Sequence, residues 1–388
     1  MRHERALRGR TAVVGVAESD LGEVGPGITA LDLAEQGAGR ALDDAGLTVG
    51  DVDAVFSHSA FYGMPTVTLA ERMGIRPRYS DSTATGGSSF LAHLRHATAA
   101  IDAGLCEVAL IAYGSNQRSA SGGLMASGQN HLPSYETPFA PRLPVSAYAL
   151  AAARHMHQFG TTRRHLAEVA VAARRWAQLN PAAFERGELT IDDVLGSRMV
   201  STPLTVRDCC LVTDGGGALV VTSAARARDL RRPPVYYLGG AEAHWHTGIS
   251  QLDDVTVTAA SESGPRAFDL AGLRPSDVDV VQLYDAFTIN TLLFLEDLGF
   301  CAKGEGGDFV SEGALAPGGR LAVNTNGGGL SYCHPGMYGI FTLIESVRQL
   351  RGEAGDRQVA DARVALAHGN GGMLSSQVSV LLGDESTL

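Results

Sequence analysis

Between Asn324 and Gly339 the chain reads Asn-Thr-Asn-Gly-Gly-Gly-Leu-Ser-Tyr-Cys-His-Pro-Gly-Met-Tyr-Gly. Three side chains that can carry protons or electron pairs, Tyr332, Cys333 and His334, follow three consecutive glycines. Glycine lets a backbone approach a ligand closely and adopt positive φ. A helical pattern from Ile340 to Leu350 comes next, and a helix N-terminus offers free N–H groups to an anion or oxyanion. The stretch reads either as an active-site wall or as a Gly-rich turn holding a hydrogen-bonded structural histidine. Tyr284 stands just past the apolar run Val280-Val-Gln-Leu283, at a strand end, where α/β folds gather reactive residues. As a base it needs its hydroxyl pKa, ordinarily about 10, lowered by a nearby cation or donor. Otherwise its ring packs and its hydroxyl is simply satisfied. Cys333 adjoins His334, but successive residues of an extended segment face opposite ways, which argues against a Cys–His pair.

The neighbouring polar residues have plainer readings. Asp285 caps or braces the turn at Tyr284, and Tyr338 falls inside the helical stretch as a core residue. Cys209 and Cys210 precede an apolar strand and read as core packing. Ser88 becomes a nucleophile only beside a general base.

These residues need a scaffold, and the chain supplies an α/β one. Thr11–Ala17 is a β-branched strand pattern, and Thr29–Ala45 has apolar residues at helical spacing closed by Gly46. Asp51–Phe56 begins a second strand, and the helical stretch Phe90–Ala103 leads into the buried-strand pattern Glu107–Ala112. The second half repeats this grammar. Ala45-Gly-Leu-x-x-x-Asp51-Val-Asp-x-Val55 recurs 226 residues later as Ala271-Gly-Leu-x-x-x-Asp277-Val-Asp-x-Val281, and Val108-Ala-Leu110 recurs 256 residues later as Val364-Ala-Leu366. Thr85-Gly-Gly-Ser88 then corresponds to Gly327–His334. The expectation is a duplicated βαβ-rich unit, with one half over 1–225 and the other over 226–388. A long insertion, about 115–208, opens with Gly122-Gly123, Pro133, Pro138, Pro141 and Pro144 and continues in helical stretches Tyr148–Phe159 and Arg163–Ala177. Insertions of this length usually cover a binding site.

Composition sets the outer bounds. With 388 residues, 45% hydrophobic and 19% charged, the chain can bury a large core as a soluble protein. A net charge of −11 argues against non-specific nucleic-acid binding. No apolar run reaches membrane-spanning length, and the opening Met-Arg-His-Glu-Arg turns directly into a strand pattern rather than a signal segment. The five cysteines show neither zinc-ribbon nor disulfide-framework spacing. A reduced, cytoplasmic protein without membrane attachment or a bound metal is expected.

Taken together the motifs resemble the thiolase superfamily, specifically the sterol-carrier-protein-type thiolases, over nearly the whole chain. The residues that carry the resemblance are Tyr284-Asp-Ala-Phe-Thr288 with Leu295-Glu-Asp-Leu-Gly-Phe300, Asn324–Gly339 with His334-Pro335, Ala367-His-Gly-Asn-Gly-Gly372, and Asp208-Cys-Cys-x-x-x-Asp214-Gly-Gly-Gly217. The resemblance implies an α/β thiolase fold, two similar halves in a layered αβαβα sandwich with two five-stranded sheets, usually dimeric. It also implies a nucleophilic cysteine at the N-terminus of the first half's central helix. That place falls on Gly87 or, in another register, Thr83, and neither is a cysteine. The superfamily's second cysteine aligns with His368, the histidine of its His-Asp-Ala-Phe motif with Tyr284, and the glycine before His-Pro with Cys333. Of the acid–base set only His334 is retained.

Without a thiolate, an acyl-enzyme route is disfavoured. What remains can bind an acyl-CoA thioester, stabilise its enolate and move protons, which suffices for retro-aldol cleavage of a 3-hydroxyacyl-CoA. Steroid side-chain-cleaving aldolases of the thiolase fold are similar in carrying tyrosines at the positions of Tyr284 and Tyr332. The resemblance implies that these two handle proton transfer, that His334 and His368 assist, and that the N–H groups of Gly87 or Ser88 and of Gly371 or Gly372 form an oxyanion site. It implies no cofactor beyond the CoA of the substrate, and a partner, a small OB-fold acyl-CoA-binding protein, beside a homodimer. The cluster Arg226, Arg228, Arg231, Arg232 is a solvated linker face or a contact for CoA phosphate. A Claisen-type acyltransferase and a non-catalytic acyl-CoA-binding subunit are the rival readings.

Overall fold

A computed structural model describes residues 7–120 and 135–388. Gly122, Gly123 and Pro133, like the opening Met-Arg-His-Glu-Arg, lie outside the described residues. Twelve strands are named here in chain order: β1 (Thr11–Glu18), β2 (Ala54–Ser57), β3 (Tyr79–Asp81), β4 (Val108–Ser115), β5 (Met199–Ser201), β6 (Leu204–Thr205), β7 (Gly215–Ser223), β8 (Val235–His244), β9 (Val280–Leu283), β10 (Ala322–Val323), β11 (Val364–Gly371) and β12 (Ser376–Gly383). The principal helices are α1 (Ala30–Ala45), α2 (Pro65–Met73), α3 (Ser89–Asp102), α4 (Val145–Phe159), α5 (Arg163–Gln178), α6 (Ala260–Ala271), α7 (Thr288–Asp297) and α8 (Gly339–Leu350).

The internal repeat is a structural one. The order β3-β2-β4-β7-β1 in the first half matches β10-β9-β11-β12-β8 in the second. In each, three parallel strands are followed by two antiparallel ones. The five-stranded units are not separate, as the resemblance implied: β1 and β8 pair antiparallel at Ala12–Tyr236 and Val13–Val235, making one ten-stranded sheet. Helices α3 and α8 each touch strands of both halves and form the middle layer, while α1 and α6 cover the outer faces.

Local signals explain these elements. Thr29 caps α1 in a reciprocal box with Asp32, Gly46 ends the helix at φ 71°, and the buried face is Leu33, Ala34, Ala38, Ala41 and Leu42. Gly15 and Gly114 let α1 lie directly on the sheet, because a Cβ at either would overlap α1 backbone. The same close approach brings Gly339, at the start of α8, onto the carbonyl of Gly87, just before α3. The N-termini of the two middle helices therefore meet. Among the described residues no helix is long and apolar enough to cross a membrane. On the linker face Arg226, Arg228 and Arg232 make surface ion pairs, with Asp51, Glu385 and Asp44 among their partners, and Arg231 donates to Asp43 O.

Candidate active site

The meeting point of α3 and α8 lies at the ends of β9 and β11, and Tyr284 fills it. Its backbone N–H continues the parallel ladder by donating to His368 O at 3.1 Å. The next residue, Asp285, accepts from Gly329 N–H at 2.6 Å. Gly328, at φ 65°, leaves room for that carboxyl, since a Cβ there would overlap Asp285 Oδ2. Burial pushes the Asp285 carboxyl up to about 7, and the bond from Gly329 makes it a brace of the turn, as the sequence suggested. The chain then makes one wide helical turn, Gly328–Tyr332, before extending at Cys333.

That extension delivers His334 to Tyr284. His334 Nε2 lies 3.1 Å from Tyr284 Oη, with the rings edge to face at 5.5 Å between centroids. Gly336 O lies 3.3 Å from the same hydroxyl. His334 N–H donates to Thr213 Oγ1 at 3.0 Å, which fixes the histidine's backbone. Burial holds the imidazole down to about 4, hence neutral at pH 7, and pushes the Tyr284 phenol well above 10. The pair has two proton settings. Tyr284 donates to Nε2, or Nε2–H donates to Oη while the phenol proton goes to Gly336 O.

A cavity of about 490 Å³ opens onto this pair. Val145, Val200, Leu211, Val212, Phe287 and Met337 give it an apolar wall, and Gly86, Gly87 and Gly372 contribute backbone. Its remaining polar side chains include Tyr148 and Asn370, which hydrogen-bond at 2.8 Å. Gly87 is the decisive position. A Cβ there would overlap the Tyr284 ring and stand 2.7 Å from Asn370 O. The space that a side chain at 87 would use is taken by the phenol.

Several residues singled out from sequence stand elsewhere. Tyr332 does not reach the cavity: its hydroxyl donates to Glu18 Oε1 at 2.8 Å, and Arg348 pairs with the same carboxylate. Burial alone would raise Glu18, but Arg348 holds it below the usual range. His368 is fully buried between Ser379 Oγ at 2.9 Å and Gln377 Oε1 at 3.0 Å, and burial holds it to about 3. Ser88 Oγ is engaged by Thr85 O and Ser376 Oγ, so it is neither nucleophile nor lining. Gly371 packs its backbone on Thr85 rather than facing the cavity. Cys333 is fully buried and off the lining, whereas Cys209 and Cys210, read as core, line it. Burial pushes the Cys209 thiol up to about 12 and Cys210 higher, so neither supplies a thiolate.

For Tyr332→Phe we expect kcat unchanged within about twofold and stability lowered by about 1.5–3 kcal/mol, the cost of a hydrogen bond to a charged acceptor. Thermal unfolding beside cleavage kinetics checks this. A hundredfold fall in kcat with the fold intact would return Tyr332 to the chemistry.

The Thiolase C-terminal domain-like family matches residues 241–384. A 17-hydroxy-3-oxo-4-pregnene-20-carboxyl-CoA lyase of Mycobacterium tuberculosis is 36% identical, covering 94% of this chain and 97% of that one. The chain belongs to the thiolase superfamily. An acetyl-CoA acetyltransferase of Methanothermobacter thermautotrophicus is 33% identical over 93% of this chain and 96% of its own. Among solved structures, the Ltp2-ChsH2(DUF35) aldolase superposes with TM-score 0.88 and 32% identity, covering 98% of this chain and 99% of that one. This thiolase-superfamily chain thus has its fold, and at Gly87, one of the two places where the resemblance put a cysteine, the Tyr284 ring takes the side-chain space. Sequence reasoning missed Tyr148 and Asn370. Asn370 lay within the Ala367–Gly372 motif, but Tyr148 gave only helical periodicity.

Proposed function

We propose that the protein is a carbon–carbon lyase that splits a branched or steroidal 3-hydroxyacyl-CoA by retro-aldol chemistry into a ketone and a shorter acyl-CoA. The observation that carries this is the Tyr284–His334 pair over Gly87, which substitutes a proton relay for a nucleophile. The substrate hydroxyl gives its proton to Tyr284 Oη as the phenol proton passes to His334 Nε2. The oxygen forms a carbonyl, the Cα–Cβ bond breaks, and its electron pair moves onto Cα and the thioester oxygen. The relayed proton then returns to Cα. The hydroxyl proton ends on the acyl-CoA, so the reaction balances with no cofactor. CoA enters only as part of the substrate.

The apolar wall supports a bulky hydrocarbon acyl group. The name of the lyase relative supports a steroid, in sterol side-chain degradation. The solved relative's DUF35 partner supports a hetero-complex with a small OB-fold acyl-CoA-binding protein, and we assign a homodimer core. The cytoplasm is the compartment we assign, in keeping with five unpaired cysteines. The acetyltransferase relative keeps a Claisen reaction as the second reading, against which stands the absence of a thiolate at the cavity.

The test is to co-produce the chain with such a partner, supply a 17-hydroxy steroid 20-carboxyl-CoA thioester, and follow products by mass spectrometry. Equal amounts of the 17-ketone and propionyl-CoA are expected. No cleavage, with release of acyl-CoA from a 3-oxoacyl-CoA on adding free CoA, would establish the acyltransferase instead.

A further inference from the structure

The relay uses two of the cavity's polar side chains and leaves a need unmet, because negative charge develops on the thioester oxygen as the bond breaks. We propose that Tyr148 is a second catalytic residue, donating its phenolic proton in a hydrogen bond to that oxygen. We further propose that Ser379, His368, Gln377 and Asn370 form a one-way hydrogen-bond chain that orients it. The proposal rests on the lyase reading and adds a residue to it.

The direction of the chain follows from which atoms can only accept. Tyr148 Oη lies 2.9 Å from Gly372 O, a carbonyl, so the single phenol proton points there. The 2.8 Å bond between Asn370 Nδ2 and Tyr148 Oη must then be donated by the amide. Asn370 Oδ1 accepts from Gln377 Nε2 at 2.7 Å, which leaves Gln377 Oε1 facing His368. An amide oxygen cannot donate, so His368 carries its proton on Nε2, and Nδ1 accepts from Ser379 Oγ. All four supporting side chains are at most 2% exposed.

Every dipole therefore points from the sheet interior toward the cavity. Hydrogen bonds aligned head to tail in a dry interior strengthen one another, and each donation into Tyr148 makes its own proton a better donor. Without substrate that proton rests on Gly372 O. A full negative charge in the cavity outcompetes a neutral carbonyl for it. The sheet register builds the device: His368 lies opposite Ser379 and Asn370 opposite Gln377 on β11 and β12. Tyr148 enters from α4 and is held in place by stacking on Phe287 at 4.3 Å. His368 is thus a positioning residue, acting through three others.

Enolate stabilisation can be measured apart from bond cleavage, as exchange of the α-protons of propionyl-CoA with D2O followed by NMR. Tyr148→Phe, nearly isosteric, is expected to slow both exchange and cleavage by about 10²-fold, within the range for loss of one oxyanion donor, with the Kd of propionyl-CoA within threefold. His368→Leu is expected to lower kcat about tenfold with KM unchanged. The double variant should be no slower than Tyr148→Phe alone, because His368 acts only through the phenol. A merely structural role for His368 would make the two losses multiply and would overturn the chain. Tyr148→Phe with both rates within threefold of wild type would overturn the proposal. Tyr148-dependent exchange without cleavage of any 3-hydroxyacyl-CoA would remove the lyase reading and leave the proposal standing. Wild type lacking both reactions would overturn both. Where wild type cleaves without exchanging, the cleavage rates alone decide, at the same thresholds.

Discussion

Tyr284→Phe is expected to lower kcat for cleavage by about 10²–10⁴-fold, the range for loss of a positioned acid–base group, with little change in acyl-CoA affinity. The phenyl ring keeps the edge-to-face contacts with His334 and Tyr338 at 5.5 and 5.8 Å. It also still fills the space over Gly87, so the fold should survive. What is lost is the hydroxyl that stands 3.1 Å from His334 Nε2. A structural tyrosine would give the opposite result, a lower melting temperature with kcat intact. Isothermal titration with a non-cleavable acyl-CoA, run beside the kinetics, separates the two. Retained turnover in Tyr284→Phe would sink the relay.

The same relay fixes a pH dependence. His334 accepts a proton only while neutral, and burial sets its pKa at about 4 in the folded protein against 6.5 when solvated. The acid limb of kcat/KM is therefore expected near pH 4, not near 6.5. Stability moves over a neighbouring window. Below about 6.5 the unfolded chain takes up protons that buried His334, His368 and His93 refuse until about 4, 3 and 3, so stability falls as pH drops from 6.5 toward 4. Circular dichroism at each pH separates loss of fold from loss of base. A limb at 6.5 in folded enzyme would mean that water reaches His334 in the working state.

Much of this was legible in the chain because its signals are local. The Thr29 cap, the Gly46 stop and the repeat at offset 226 each act within a few residues, and β2 and β9 sit where that repeat put them. Tyr284 and His334 stood out because each follows a strand end or a glycine run. Tyr332 was singled out by the resemblance, and its hydroxyl turns to Glu18 rather than to the cavity. Tyr332 ends the wide turn Gly328–Tyr332, and only at Cys333 does the backbone extend, so Tyr332 and His334 do not share a face. His368 lies deeper than a contact residue: it stands two residues, about 7 Å, back along β11 from the cavity end. Tyr148 and Asn370 meet only through the fold, from α4 and β11, 222 residues apart. No local pattern encodes that.

Gly87→Cys introduces the residue type that one register of the superfamily resemblance puts at this position, yet it is expected to destabilise the protein by about 3 kcal/mol or more and to yield no thiolysis. Overpacking alone typically costs about 1–3 kcal/mol. Here the new Cβ meets the Tyr284 ring on one side and Asn370 O, a backbone atom at 2.7 Å, on the other. The ring has little freedom to retreat, since its backbone is tied to His368 O and its hydroxyl to His334 and Gly336. Adding Tyr284→Ala should recover part of the loss, a favourable coupling of about 0.5–3 kcal/mol in a double-mutant cycle, with the Asn370 overlap remaining. Denaturant melts of the four proteins measure this. A Gly87→Cys variant as stable as wild type that cleaved a 3-oxoacyl-CoA with free CoA would show that the ring yields easily and that a single side chain separates lyase from acyltransferase. If the ring holds, the separation is steric: a cysteine and a phenol compete for one volume, and either chemistry excludes the other.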